Sequence, residues 1–417
     1  MRRLYYADPL LTSFDATVSS CGAVDGRFHV TLGATAFYPT SGGQPFDRGT
    51  LALLRQGSLL RQGSGGQAGA DDSVAITDVI DDETTGDVVH VIAATSVPFA
   101  VGDKVHGEID RPRRLDHMQQ HTGQHVLSAA FDRRFGVRTV SFHMGADAST
   151  IDLGREVTPA EMAAAERDAN QVVWDDREVR VRYATDAEAA ALPLRKESVR
   201  TGTLRLVEVP DWDLSACGGT HVPRTGMVGI IAIGGWERFK GGSRVSFVCG
   251  GRALAAFAAL RDVTTAASRT LTVAVADLPD AIARMQAQIK EQQRAIRDLQ
   301  EQVTARLAAE LRETAVPGRN GARVVVCARP GWDAGAIKFL ASAIVSSPGF
   351  VVVLTGEGSP VPVVVARSQD VGFDAGAWLK DATSELGGRG GGRPEIAQGG
   401  LAAGTNDILA RASRTLG

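Results

Sequence analysis

Cysteine is scarce. Cys21, Cys217, Cys249 and Cys327 are the only four in 417 residues, and they stand at no framework spacing. This excludes a disulfide-stapled secreted scaffold and points to a reducing, cytoplasmic setting. Long apolar runs are missing as well: none approaches the ~20 residues of a membrane-spanning helix. The start, MRRLYYADPLL, is broken by Asp8 and Pro9 before the apolar segment of a signal peptide builds up. Charge of one sign is also lacking. A net charge of −3 excludes a uniformly basic surface for nucleic acid, so any RNA contact must come from local patches. What is present, 44% hydrophobic and 22% charged residues, is ordinary for a soluble globular chain with room for two or three cores.

Residues 1–108 read as mostly β. Phe28–Leu32, Val74–Ile76 and Val88–Ile92 are short, β-branched clusters separated by Gly, Asp and Ser, which predicts a small antiparallel β-barrel. The hexapeptide LLRQGS occurs twice in tandem, at residues 53–58 and 59–64, and reads as an expanded hairpin loop. FYPTSGGQPFDRG, Phe37 to Gly49, is the distinctive segment. Gly42 and Gly43 permit a backbone to approach a ligand closely, and the Gln44 amide both donates and accepts. A tight turn between strands is the plainer alternative.

Residues 109–250 read as an α+β domain. RPRRLDHMQQHTGQHVLSAAFDRRF is a helix with Pro112 near its start and a buried stripe through Leu115, Met118, Thr122, Val126 and Ala129. His121 and His125 are four residues apart, one turn along one helix face. CGGTHV follows roughly a hundred residues later, with Cys217 and His221 at the same separation. Three imidazoles and a thiol suit one tetrahedral Zn²⁺ per chain. Gly218 and Gly219 would let the backbone bend around the ion. His117, a turn before His121, is assigned to an outer shell or the surface. Two satisfied core histidines and a buried thiol are the bland alternative.

Residues 251–315 form a helical arm. Ile282, Met285, Ile289, Ile296, Leu299 and Val303 mark a coiled-coil seam, folded back on the preceding helix or serving as a homodimer contact. Residues 316–417 read β-α-β-β-α-α, an α/β domain whose apolar strands belong in a covered sheet.

Three ordered motifs now carry a likeness. SGGQP-x-D-x-G, R-x-x-H-M-Q-Q-H-T-G-Q-H and C-G-G-T-H-V resemble the editing domain of alanyl-tRNA synthetase. With the arm and the P-E-I-A-Q-G-G ending, the chain looks like the long form of the AlaX editing proteins, which ends in a DHH-associated domain. The resemblance covers nearly the whole chain. It implies a Zn-dependent trans-editing hydrolase, cytoplasmic, that cleaves serine or glycine from mischarged tRNA(Ala). His121, His125, Cys217 and His221 occupy the family's zinc positions, and Gln44 with Gly42 and Gly43 the glycine-rich editing motif. Thr40 stands where many relatives carry an acidic or apolar residue. No His-His pair occurs, which excludes the two-metal DHH phosphoesterases.

On this reading Gln44 and His143 are candidates for orienting water or substrate, with a structural hydrogen bond the alternative for His143. Thr40 or Gln44 would contact the seryl hydroxyl. Arg111, Arg113 and Arg114 lie at the mouth of the zinc helix, and Arg238, Lys240 and Arg244 follow the zinc turn; both sets are candidates for RNA phosphates. Arg389 and Arg393 in GGRGGGRP read either as a flexible linker or as flanking a backbone-amide cradle for phosphate in a tRNA-binding last domain. A non-catalytic tRNA-binding protein with a structural zinc is the competing reading.

Overall fold

Alternating apolar and polar residues close the amino-terminal part of the chain into a ring. The computed structural model describes residues 1–54, 73–94, 98–195 and 202–417. Strands Ser13–Val24, Arg27–Leu32, Val88–Ile92, Ser73–Asp81, Gly49–Leu53 and Lys104–Ile109 neighbour one another in that order around a closed antiparallel barrel. The first hairpin turns at Asp25–Gly26, where φ is 50° and 75°, the positive values that match a two-residue turn to strand twist. Phe14, Val18, Val30, Leu32, Phe37, Leu51 and Val105 fill the interior. Gly107 is required there, since an added Cβ would lie 2.6 Å from the Phe14 ring. All of the LLRQGS duplication except Leu53 and Leu54 lies outside the described residues.

Helix α1, Arg111–Phe135, follows the barrel. Asp110 caps it by accepting from the Arg113 amide, Pro112 lies in the first turn, and Gly136 at φ 63° ends it. The expected buried stripe is too narrow. From His117 to Phe131 almost every side chain is buried, polar ones included, because protein surrounds the helix on all sides. A four-stranded antiparallel sheet, ordered Ile231–Phe239, Gly242–Cys249, Ser149–Leu153 and Thr139–Met144, packs against it with α2, Pro159–Trp174. Thr158 and Glu161 make the capping box at the start of α2. A three-stranded antiparallel sheet, Arg180–Ala184, Leu204–Val209 and Asp213–Ala216, carries the short helix α3, Asp186–Ala190.

One buried ion pair ties these parts together. Arg114 Nε donates to both carboxylate oxygens of Asp47 at 3.1 Å, and Nη2 also reaches that carboxylate. The remaining donors serve the carbonyls of Pro9 at 2.9 Å and Ala36 at 2.5 Å, and Asp47 accepts from the Tyr38 amide at 2.7 Å. Arg114 is 1% exposed, so it is no RNA contact. Its charge is consumed in holding the barrel to α1.

Helix α4 spans Gly251–Leu271, and the chain divides into two compact units, Met1–Ala266 and Ala267–Gly417. In the second unit α5, Leu278–Glu313, precedes a six-stranded sheet. Arg323–Ala328 and Phe350–Thr355 pair in parallel across α6, Ala334–Val345. Phe350–Thr355 is buried along its whole length because apolar clusters cover both sheet faces. Helices α7, Ala375–Leu386, and α8, Thr405–Leu416, complete the covering. GGRGGG is a strand and not a linker. Gly388–Gly392 is an edge strand paired with Ile396–Leu401, so its backbone groups enter a ladder. The α5 seam residues Ile282, Met285, Ile289, Ile296, Leu299 and Val303 are exposed. Among the described residues no helix is long and apolar enough to cross a membrane.

Removing one partner of the buried pair strands the other charge. Arg114→Ala is expected to destabilise the first unit by about 3–5 kcal/mol, measured by denaturant unfolding. A loss under about 1 kcal/mol, the range of surface pairs, would show that the pair does not hold the barrel to α1.

Candidate metal centre

The site forms where α1 meets the SGGQ and CGGTH turns. His121 and His125 project from the same side of α1. Cys217 and His221 come from the CGGTH turn that follows strand Asp213–Ala216. One donor atom from each of the four lies within 4.8 Å of the others. The His121 and His221 ring centroids are 4.5 Å apart, and those of His125 and His221 4.8 Å. Cys217 Sγ is 3.3 Å from Nε2 of both His121 and His221.

Each imidazole is oriented through its other nitrogen. His121 Nδ1 meets Gln44 Oε1 at 2.8 Å, His125 Nδ1 meets Asp213 Oδ2 at 2.8 Å, and His221 Nδ1 meets Thr122 Oγ1 at 3.2 Å. With Nδ1 engaged, Nε2 of each ring is left for a ligand, the arrangement by which proteins preset metal-binding histidines. The electrostatics favour the thiolate and a proton on His125, which a metal would displace. Burial disfavours charge on Cys217, yet the surrounding imidazoles outweigh it and hold the thiol well below its ordinary value, towards the ligating thiolate. Burial likewise opposes charge on His125, but its bonds to Asp213 and Cys217 push it up to about 9. Burial drives His221 down to about 3. The donor set therefore fits a divalent ion that accepts nitrogen and sulfur.

Glycine acts at two places by proximity. A Cβ on Gly219 would sit 2.1 Å from His121 Cε1, so only glycine lets this backbone lie on the ring. Gly218 carries no such restriction; its nearest neighbour would be the Tyr6 hydroxyl at 3.5 Å. In the SGGQ turn, Gly43 has φ 85° and presses on Phe142, whose ring stacks on His121 with centroids 5.5 Å apart. The Gly43 carbonyl also accepts from the Met144 amide at 3.2 Å. Gly42, at φ 57°, faces open space.

Several expected roles change here. Gln44 is fully buried, and its amide is engaged twice more, donating to Thr220 Oγ1 at 2.8 Å and accepting from the Thr220 amide at 3.1 Å. It is a positioning residue: enclosed by protein, it holds His121 and Thr220 rather than facing water or substrate. Thr40 is exposed, and its hydroxyl accepts from the Phe46 amide at 3.2 Å. His143 is exposed on strand Thr139–Met144; alternation turns it to the face opposite Phe142 and therefore away from the cluster. His117 is buried rather than on the surface, and its Nδ1 has no partner among the described residues.

The expected RNA-facing cations divide. Arg244 pairs with Asp152 at 2.7 Å and covers the Phe239 ring, and Arg238 pairs with Glu156 at 3.0 Å. Arg113 donates to the Phe46 carbonyl at 3.1 Å. Arg111, Lys240, Arg389 and Arg393 are exposed. Asp213, Thr122 and Thr220 are the site residues the motif reading passed over. Thr122 and Thr220 lie inside HTGQH and CGGTH, and Asp213 stands four residues before Cys217, so a search for partners to each imidazole would have reached them.

Comparisons with known proteins relate the chain to alanyl-tRNA synthetases and an alanyl-tRNA editing protein. The family model for the DHHA1 domain matches residues 321–416. That for the threonyl and alanyl tRNA synthetase second additional domain matches residues 204–246, which include Asp213, Cys217 and His221. Alanine–tRNA ligase of Pyrococcus abyssi is 32% identical over 95% of this chain and 42% of its own length, so the chain spans about two fifths of that relative. Alanyl-tRNA editing protein AlaX-L of Pyrococcus horikoshii is 28% identical over 98% of this chain and 96% of its own length. The C-Ala domain of Aquifex aeolicus alanyl-tRNA synthetase aligns with 24% of this chain and 96% of its own at 18% identity and a TM-score of 0.22, too low to bear on the fold.

Asp213→Asn keeps the shape but removes the charge behind His125. It is expected to weaken Zn²⁺ binding about 10- to 100-fold, measured by competition with a chromogenic chelator. Unchanged affinity would mean that Asp213 does not support the metal group.

Proposed function

Since this chain is a homologue of the alanyl-tRNA editing protein AlaX-L, we propose that it is a trans-editing deacylase. It hydrolyses the ester of serine or glycine mischarged onto tRNA(Ala), at a Zn²⁺ held by His121, His125, Cys217 and His221. The observation that carries this reading is the convergence of three Nδ1-anchored imidazoles and a stabilised thiolate on one point. When bound there, the ion supplies a Lewis acid towards an ester carbonyl or a water.

The rest of the work falls to this chain's own residues. Gln44, Asp213 and Thr122 hold the rings, so that nothing has to reorganise as substrate arrives. Phe142 and the SGGQ turn wall one side of His121. Cys217 is the least buried of the four, the three histidines being buried. An aminoacyl ester is already activated, and holding it beside the donor group supplies much of the required rate.

Selection of serine over alanine needs a polar contact, because an apolar pocket rejects a missing hydroxyl weakly. With Gln44 enclosed, we assign this contact to the exposed Thr40 hydroxyl, which accepts from the Phe46 amide and keeps its own proton. Arg111 and Lys240 contribute phosphate contacts near the acceptor end. The last domain adds affinity for the tRNA body through the exposed Arg389 and Arg393.

The decisive experiment is hydrolysis of tRNA(Ala) charged with serine, glycine or alanine. Seryl and glycyl esters are expected to be cleaved well above the spontaneous rate, alanyl ester slowly, and chelation to abolish cleavage until Zn²⁺ is restored. Binding of tRNA without cleavage would leave the structural-zinc reading. Thr40→Val is expected to reduce seryl-over-alanyl preference about tenfold or more, read from the ratio of kcat/KM values; an unchanged ratio removes Thr40 from selection.

A further inference from the structure

Arg205 stands in the middle strand of the three-stranded sheet, Leu204–Val209. Leu204 and Leu206 pack with Ala184 and Ala189 on one face. On the other face Val207 and Val209 are buried, and the register brings Ser215 and Asp213 opposite them. Arg205 leaves the sheet on this second face, and Tyr183 of the edge strand lies directly opposite it. The strand bearing the carboxylate behind His125 is thus part of the same surface as Tyr183.

The guanidinium of Arg205 joins this surface to the metal turn. Its Nη1 donates to the carbonyls of Cys217 at 2.7 Å and Gly219 at 3.0 Å. Its Cζ lies 4.9 Å from the centre of the Tyr6 ring, and its Nε is buried without a partner among the described residues. Tyr6 in turn lies against Gly218, where a Cβ would come within 3.5 Å of its hydroxyl. Beside the cysteine of the donor group there is therefore a strip of Tyr6, Arg205 and Tyr183, and Tyr183 is 57% exposed.

Charge decides what this strip is suited to hold. Arg180 and Arg182 of the same edge strand are paired with Glu178 at 2.9 Å and Glu208 at 3.6 Å. Arg205 is committed to two carbonyls. The strip offers flat π-faces and one planar guanidinium rather than free charge directed at phosphate. Unstacked bases of single-stranded RNA lie on such surfaces, whatever their sequence. We propose that Tyr183, with Tyr6 and Arg205, seats the terminal base of a single-stranded RNA 3′ end. The ester attached to that nucleotide then falls beside Cys217 and His121. This inference rests on the deacylase reading and names the part of the substrate that the strip takes.

The test uses the full-length, metal-loaded protein and uncharged tRNA(Ala), either intact or lacking its terminal adenosine. Binding is followed by fluorescence anisotropy. The unaltered protein is expected to prefer the intact end. Tyr183→Ala is expected to weaken intact tRNA binding about 5- to 100-fold and to bind both tRNAs alike, whereas Tyr183→Phe keeps the preference. With seryl-tRNA(Ala), Tyr183→Ala is expected to raise KM more than it lowers kcat. Metal content and the unfolding midpoint, measured in parallel, show that the exposed substitution leaves the fold intact. If Tyr183→Ala discriminates the two tRNAs as well as the unaltered protein does, the inference is overturned, and hydrolysis by the unaltered protein still decides the deacylase reading. A preference for the intact end that depends on Tyr183, without hydrolysis, would uphold the strip and remove the deacylase reading.

Discussion

Everything at the centre of this molecule depends on three imidazoles being held by the nitrogen that faces away from the ligand position. A histidine ring free to rotate presents either nitrogen, and a cluster of free rings has no single geometry. Here Gln44, Asp213 and Thr122 remove that freedom from three directions: a barrel turn, a sheet strand and the helix itself. The ligand nitrogens are aimed by these partners, and the thiol between them is biased towards thiolate by the surrounding imidazoles. Preorganisation of this kind lets a small donor set act without rearrangement.

The Phe37–Gly49 segment gives that arrangement a rigid base. It runs beside α1 and grips it twice. Asp47 takes Arg114, and Gln44 takes His121, seven residues and about two turns further along the helix. Gly43 brings Phe142 against the ring. A single loop from the barrel thus sets both the position of the helix and the orientation of its first ligand. This accounts for so polar a helix being buried on every side: apart from His117 Nδ1, its buried polar groups find partners in the loop, the sheet and the CGGTH turn.

Charge in this protein works by pairing more than by total. Several arginines that stand out in the sequence are already matched: Arg114 with Asp47, Arg244 with Asp152, Arg238 with Glu156. A cation next to a functional motif is therefore poor evidence for RNA until its partner is known. Acids and bases nearly balance, at a net charge of −3, so the proposed recognition rests more on shape and stacking beside the donor group.

Much could be read along the chain. The barrel strands, the capping box at Thr158 and the covered strands of the last domain follow from periodicity and turn chemistry, which are local. The spacing of His121 with His125 and of Cys217 with His221 named the donors, because a helix turn and a glycine turn each fix such pairs by themselves. Which polar residues hold those donors was decided by tertiary structure. Gln44 looked free to act until Thr220 and His121 took both ends of its amide; His143 looked close until strand alternation turned it outward. Arg114 looked like a surface cation until Asp47, sixty-seven residues earlier, was brought against it. GGRGGG looked like a linker because glycine signals flexibility locally, while an edge-strand partner supplies order from elsewhere. The sequence by itself determined the kinds of donor and the elements that bear them. Only the folded chain decided which partner each one meets, because hydrogen bonds and burial depend on contacts between residues far apart in the chain.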